Sequence, residues 1–92
     1  MIKSFRCKDT QALFEGHLPR KFYAIQAVAE RKLTQLHNAA TLAFLRSPPG
    51  NRLEPLHGER VGQHSIRVND QWRVCFRWSE GNAFDVEIVD YH

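Results

Sequence analysis

The 92-residue sequence is poor in the groups that cross-link a chain, chelate a metal or hold a protein in a membrane. Its two cysteines, Cys7 and Cys75, lie far apart, which is no disulfide framework. Cys75 falls inside an alternating apolar run and reads as a small packing residue. Neither C-x2-C nor H-x3-H spacing occurs, so no zinc site and no other cofactor is expected. No apolar run approaches the roughly 20 residues of a membrane span. The opening MIKSFRCKD lacks the long apolar stretch of a signal peptide. The expectation is a cytoplasmic protein with reduced thiols and no membrane partner. Repeats and low-complexity segments are also missing. A chain of this length has room for one domain, residues 1–92, with one small core, and none for a nucleotide-binding domain beside a substrate domain.

Lysine is absent from the second half. Before Arg46 stand seven Lys/Arg against three acids; from Arg46 onward stand six basic residues against seven acids, and all six are arginine. The net charge of +3 permits an anionic partner. The second half is therefore no basic blanket but a set of individually placed arginines, the residue suited to forked phosphate contacts.

The hydrophobic pattern divides at SPPGN, residues 47–51, which cannot continue a helix. Before it, residues 2–5 read as a short strand, and Asp9 reads as the cap of a short helix ending at Phe14. The clearest helix spans residues 22–37, with Phe22, Ile25, Val28, Ala29, Leu33 and Leu36 at helical spacing. Residues 41–45 add one more turn. After it, residues 53–56 read as an edge strand limited by Pro55. Residues 63–68 and 72–78 alternate, and 84–91 follow with Phe84, Val86 and Ile88 on the apolar face; NDQ and SEGN are the turns. The implied fold class is α+β, with N-terminal helices packed on a small, mainly antiparallel β-sheet.

On this pattern, Arg67, Arg73, Cys75, Arg77, Asp85, Glu87 and Tyr91 share the face turned away from the helix, and the hairpin places Arg73 near Tyr91. The chain closes on Asp90, Tyr91 and His92. Arginine stabilises charge on a phosphate, an imidazole moves protons near neutrality, and a phenol stacks on a base or positions a hydroxyl. These parts suit metal-free RNA cleavage by a ribose 2′-OH. The plainer alternative is that Arg67, Arg73 and Arg77 form cross-strand pairs with Glu87 and Asp85. That pairing is preferred for Arg77; for Arg73 both readings stand. His17 and His37 read as solvated, and His64 as packed on the apolar face.

The run SPPGNRLEPLHGERVGQHSIRVNDQWRVCFRW, residues 47–78, followed by DVEIVDYH, residues 85–92, resembles the HigB family of the RelE/ParE toxin superfamily. The resemblance implies a compact RelE-like toxin of a type II toxin–antitoxin system. Such a toxin is a ribosome-dependent endoribonuclease that cleaves mRNA in the A site of the 70S ribosome. It also implies a neighbouring helix-turn-helix antitoxin, HigA-like, with the toxin itself a monomer. Arg73 is implied at the scissile phosphate, with Asp90, Tyr91 and His92 on the catalytic surface. Glu54 and His57 occupy positions where the family's catalytic surface carries a histidine and a lysine, so both are candidates in altered form. Arg60, Arg67 and Arg77 are candidate RNA contacts. The alternative class is a ParE-like toxin that inhibits DNA gyrase by binding, without nuclease chemistry. A DNA-binding protein lacks support, because no helix-turn-helix pair is apparent.

Overall fold

The computed structural model describes residues 1–91; His92 lies outside the described residues. Two α-helices, α1 (Lys8–Phe14) and α2 (Gln26–Asn38), precede strands β1 (Glu54–Pro55), β2 (Gln63–Arg67), β3 (Trp72–Ser79) and β4 (Asn82–Asp90). The sheet order is β1-β2-β3-β4, every neighbouring pair antiparallel. This is the expected α+β meander.

The helical half departs from its pattern at both starts. Asp9 does not cap α1. Cys7 occupies the cap position without a side-chain bond, and Asp9 sits in the first turn, where it pairs with Lys21 at 3.3 Å. The predicted helix over 22–37 opens as a 3-10 segment, Arg20–Ile25, before α2 begins. The tighter winding still turns Phe22 and Ile25 into the core. Phe22 meets Trp72 edge-on at 5.7 Å. Ala29, Leu33 and Leu36 of α2 pack with Ile66, Val74, Phe76, Val86 and Ile88 of the sheet. Thr41 caps the next 3-10 turn, Leu42–Arg46, by accepting the Phe44 N–H.

The segment read as a strand over residues 2–5 forms two isolated parallel bridges to β4 instead, Ile2 to Ala83 and Phe5 to Val86. The cause is a bulge. Between Cys75 and Arg77 the β3–β4 register slips, and Asp85 takes a left-handed φ of 53°. The extra residue breaks the ladder. Its free N–H donates to Ser4 Oγ at 2.9 Å. The bulge also overturns one assignment. Phe84 lies opposite Arg77, and Ala83 lies opposite Trp78, so Ala83 takes the core position and Phe84 the other face. A single inserted residue inverts a period-2 pattern.

The second sheet face is not solvated either. Gln63, Ser65, Arg73 and Cys75 are all buried on it. Residues 52–62 return across it: Leu56 N–H donates to Gln63 O at 2.9 Å, and Arg60 bridges Gln63 of β2 to Glu87 of β4. The SPPGN segment is pinned beneath α2 by Asn51. Its Nδ2 donates to Gln35 Oε1, Leu45 O and Ser47 O, and its Oδ1 accepts from the buried Lys32 ammonium. Burial, with Arg31 and Arg67 nearby, lowers the Lys32 pKa.

Asn51→Ala leaves that buried ammonium without its acceptor. The expected cost is about 2–3 kcal/mol, a fall in Tm of roughly 10–20 °C. Adding Lys32→Met should return part of the loss, because the unpaired charge goes with it. Thermal melts of the two variants check both statements.

Candidate active site

Arg73 stands near the start of β3, which is flanked by β2 and β4. The registers place Arg67 of β2 and Val89 of β4 directly opposite it. Tyr91 follows Val89 by two residues and comes to the same face. The Arg73 guanidinium sits 5.9 Å from the centre of the Tyr91 ring, so the juxtaposition inferred from the hairpin is present. At that separation a cation and an aromatic face attract.

The face turned away from the helix is not open to solvent at Arg73. Arg73 is only 9% exposed, because residues 52–62 fold over it. Nε donates to Ser65 Oγ at 2.7 Å, and Nη2 donates to the carbonyl of Arg52 at 2.7 Å. Nη2 also lies 3.6 Å from Glu54 Oε1. Nη1 has no acceptor among the described residues. A guanidinium carries five N–H donors in a rigid plane. Here one edge is gripped by the protein, and the Nη1 corner is left for an incoming anion. The cross-strand pair with Glu87 or Asp85 does not form at Arg73, since those carboxylates have other arginines.

Glu54 reaches the site because β1 pairs it with Ser65, whose hydroxyl also holds Arg73. Its side chain is half exposed, so its attraction to Arg73 is screened by water. His57 is exposed at the cap of the Gly58–Arg60 turn. No hydrogen bond, ion pair or ring contact among the described residues joins it to Arg73, Glu54 or Tyr91. Asp90 falls across from Trp72, on the side opposite Tyr91, and accepts a hydrogen bond from Gln71 Nε2 at 3.1 Å. Tyr91 N–H donates to Gln71 O. Gln71 thus ties the chain end to the β2–β3 turn. His92 lies outside the described residues.

The three arginines offered as RNA contacts each face a carboxylate. Arg60 bonds Glu87 at 2.8 Å. That hydrogen bond raises the Arg60 pKa against the opposing pull of burial. Arg67 pairs with the fully exposed Asp70. Arg77 pairs with Asp85 at 3.5 Å, as preferred from the pattern. Beneath Arg60 lies Cys75, fully buried; burial pushes its thiol up to about 11. A thiol held in that form is no nucleophile at neutral pH. His64 stacks on Phe76 at 6.3 Å. His37 is not simply solvated, for its Nδ1 accepts the Ile2 N–H at 3.1 Å. Two groups escaped the sequence reading. Ser65 looked like an outward-facing strand residue, and the Arg52 carbonyl is a backbone group whose direction depends on a left-handed φ of 45°.

No group of three or more His, Cys, Asp or Glu among the described residues is placed to hold a metal ion. Among the described residues no helix is long and apolar enough to cross a membrane.

Comparison with solved structures defines the fold. The fold superposes on YafQ from E. coli with a TM-score of 0.65 at 17% identity, over 98% of this chain and 91% of that one. It superposes on a YoeB/ParE toxin from Agrobacterium tumefaciens with a TM-score of 0.52 at 18% identity, over 98% of both. This chain shares their fold. Sequence gives the class. Residues 3–92 match the HigB-like toxin family, described as the RelE-like toxin of the type II toxin–antitoxin system HigB. Toxin HigB-1 of Vibrio cholerae is 45% identical over 87 residues, 92% of each chain. Endoribonuclease HigB of Proteus vulgaris is 33% identical over all 92 residues and the whole of both chains. The chain belongs to the HigB-like toxin family of type II toxin–antitoxin systems, and a type II system implies an antitoxin partner.

Arg73 therefore carries a structural load that Arg77 does not. Arg73→Ala removes two short charge-assisted bonds from a buried site and should cost about 1.5–3 kcal/mol. Arg77→Ala breaks a half-exposed pair and should stay within about 0.5 kcal/mol of the parent. Denaturant titrations of the two variants compare them directly.

Proposed function

We propose that this chain is an endoribonuclease that cleaves mRNA in the A site of the translating 70S ribosome. Its relative from Proteus vulgaris carries the name endoribonuclease. The observation that carries the reading is the guanidinium of Arg73, held by Ser65 and the Arg52 carbonyl and set over the ring of Tyr91.

In this reading the ribose 2′-oxygen attacks the adjacent phosphorus while the bond to the 5′-oxygen breaks. The products are a 2′,3′-cyclic phosphate and a 5′-hydroxyl. Arg73 offers its Nη1 donors to the phosphate oxygens as charge gathers there, and nothing needs to reorganise at that moment. Tyr91, 41% exposed, orients a base or the attacking hydroxyl by stacking. His92, next in sequence, moves a proton to or from a reacting oxygen. Asp90 supports the tail through Gln71. In the same reading Glu54 takes the 2′-proton, at the cost of repelling phosphate. His57 adds charge only when protonated. No resident cofactor enters this scheme.

Ribosome dependence rests on charge. Tight binding of free RNA needs many phosphate contacts and weakens steeply with salt. Here three of the second-half arginines are already paired with carboxylates, so the ribosome has to supply the positioning. The antitoxin partner is proposed to be a helix-turn-helix protein, HigA-like, and the toxin acts in the cytoplasm as a monomer until bound.

Primer extension in a reconstituted translation system tests the reading. Translated mRNA should be cut and naked mRNA spared. Arg73→Lys retains the charge but loses the fork and should cut roughly 10²–10³-fold more slowly. Deleting His92 should slow cleavage by about 10²–10⁴-fold with Tm unchanged. Equal cutting of naked and translated RNA removes the ribosome from the mechanism. Growth arrest with intact mRNA and inhibited gyrase would replace the nuclease by the ParE-like binder.

A further inference from the structure

Arg60, Arg67 and Arg77 are neutralised by Glu87, Asp70 and Asp85. Arg52 differs from all three. Its side chain is exposed and, among the described residues, has no ion pair and no hydrogen bond. Its carbonyl grips Arg73 Nη2 at 2.7 Å, so its Cα stands within about 5 Å of that nitrogen. Its side chain therefore starts at the edge of the candidate phosphate site. Its φ of 45° is left-handed, a conformation glycine takes freely and arginine does not. Strained non-glycine residues of this kind cluster where a site is held in shape. Glu54 points the same way. It is the acid nearest Arg73 and opposes an incoming anion, so a second cation is needed to keep the site attractive to phosphate.

We infer that Arg52 is the second cation of the site and binds an RNA backbone phosphate adjacent to the one that Arg73 faces. The inference rests on the nuclease reading for its choice of RNA, but the contact can be measured without cleavage. Arg52 thus acts twice. Its backbone carbonyl sets the plane of Arg73, and its side chain supplies the charge that Arg60, Arg67 and Arg77 have spent on carboxylates. Arg46 provides a matched control, being exposed and unpaired among the described residues but with no contact to Arg73.

The test uses a fluorescent 2′-O-methyl RNA hexanucleotide, which lacks the attacking hydroxyl and stays intact. Its binding to the full-length toxin is followed by anisotropy across a salt series. Arg52→Gln should weaken binding roughly three- to tenfold. It should also reduce the slope of log K against log salt by about 0.7, the signature of one lost single-strand phosphate contact. Arg52→Lys should regain most of the affinity. Arg52→Gly, which keeps the left-handed backbone and the carbonyl, should lose as much as Arg52→Gln. Arg46→Gln should change neither affinity nor slope. The inference is overturned if Arg52→Gln or Arg52→Gly binds like the parent, if Arg46→Gln loses as much, or if the parent fails to bind at low salt. A parent that binds but never cuts translated mRNA would sink the nuclease reading and leave the Arg52 contact standing.

Discussion

The bond from Arg73 Nε to Ser65 Oγ anchors this half of the molecule. It crosses from β3 to β2 inside a layer that an ordinary one-sided meander would leave wet. Through the same guanidinium, residues 52–62 are drawn down by the Arg52 carbonyl, and β1 is held close by Glu54. Once that segment lies across the sheet, Arg60 can reach Glu87 and roof Cys75. The cation is thus both keystone and candidate reagent. An arginine free in water must lose rotamer entropy whenever it engages a phosphate. One held by neighbours has lost it already during folding.

Where the sequence was readable, the reason is periodicity. The spacing of Ala29, Leu33 and Leu36 announces a helix face, and the alternation through Trp72 to Trp78 announces a strand. Two tight turns then dictate register, and register alone brings Arg73 beside Tyr91. The family motif added which of these residues to weigh. Periodicity also explains the failures. Alternation assigns Phe84 to the core because nothing local marks Asp85 as an inserted residue; the bulge is stabilised by Ser4, about 80 positions away. The burial of Arg73 is not legible in the sequence, because its cover comes from a segment with no repeat of its own. Ser65 and the Arg52 carbonyl were invisible for the same reason. His57, a candidate by position in a motif, is not joined to the cluster by any hydrogen bond, ion pair or ring contact among the described residues.

Glu54 sets the electrostatic character of the site beside Arg73. Glu54 stands where a neutral or cationic group would favour an anion, and it is the register of β1 against Ser65 that brings it there. At 3.6 Å and half exposed, it dilutes the field of Arg73 without cancelling it. A site built this way has less attraction for stray polyanions than one with Arg73 alone.

The sheet's two margins carry a separate consequence. On β4, the polar groups from Ala83 to Ile88 are taken up by residues 1–6 and by the Thr10 hydroxyl. On β1, two residues ending in Pro55 make the whole strand. Neither margin presents a run of open backbone for another strand to extend. An inhibitor that must recognise this toxin therefore has to read side chains, by shape and charge, and cannot rely on the generic grammar of strand addition. Copies of the toxin released without their inhibitor likewise meet one another with no template for stacking edge to edge.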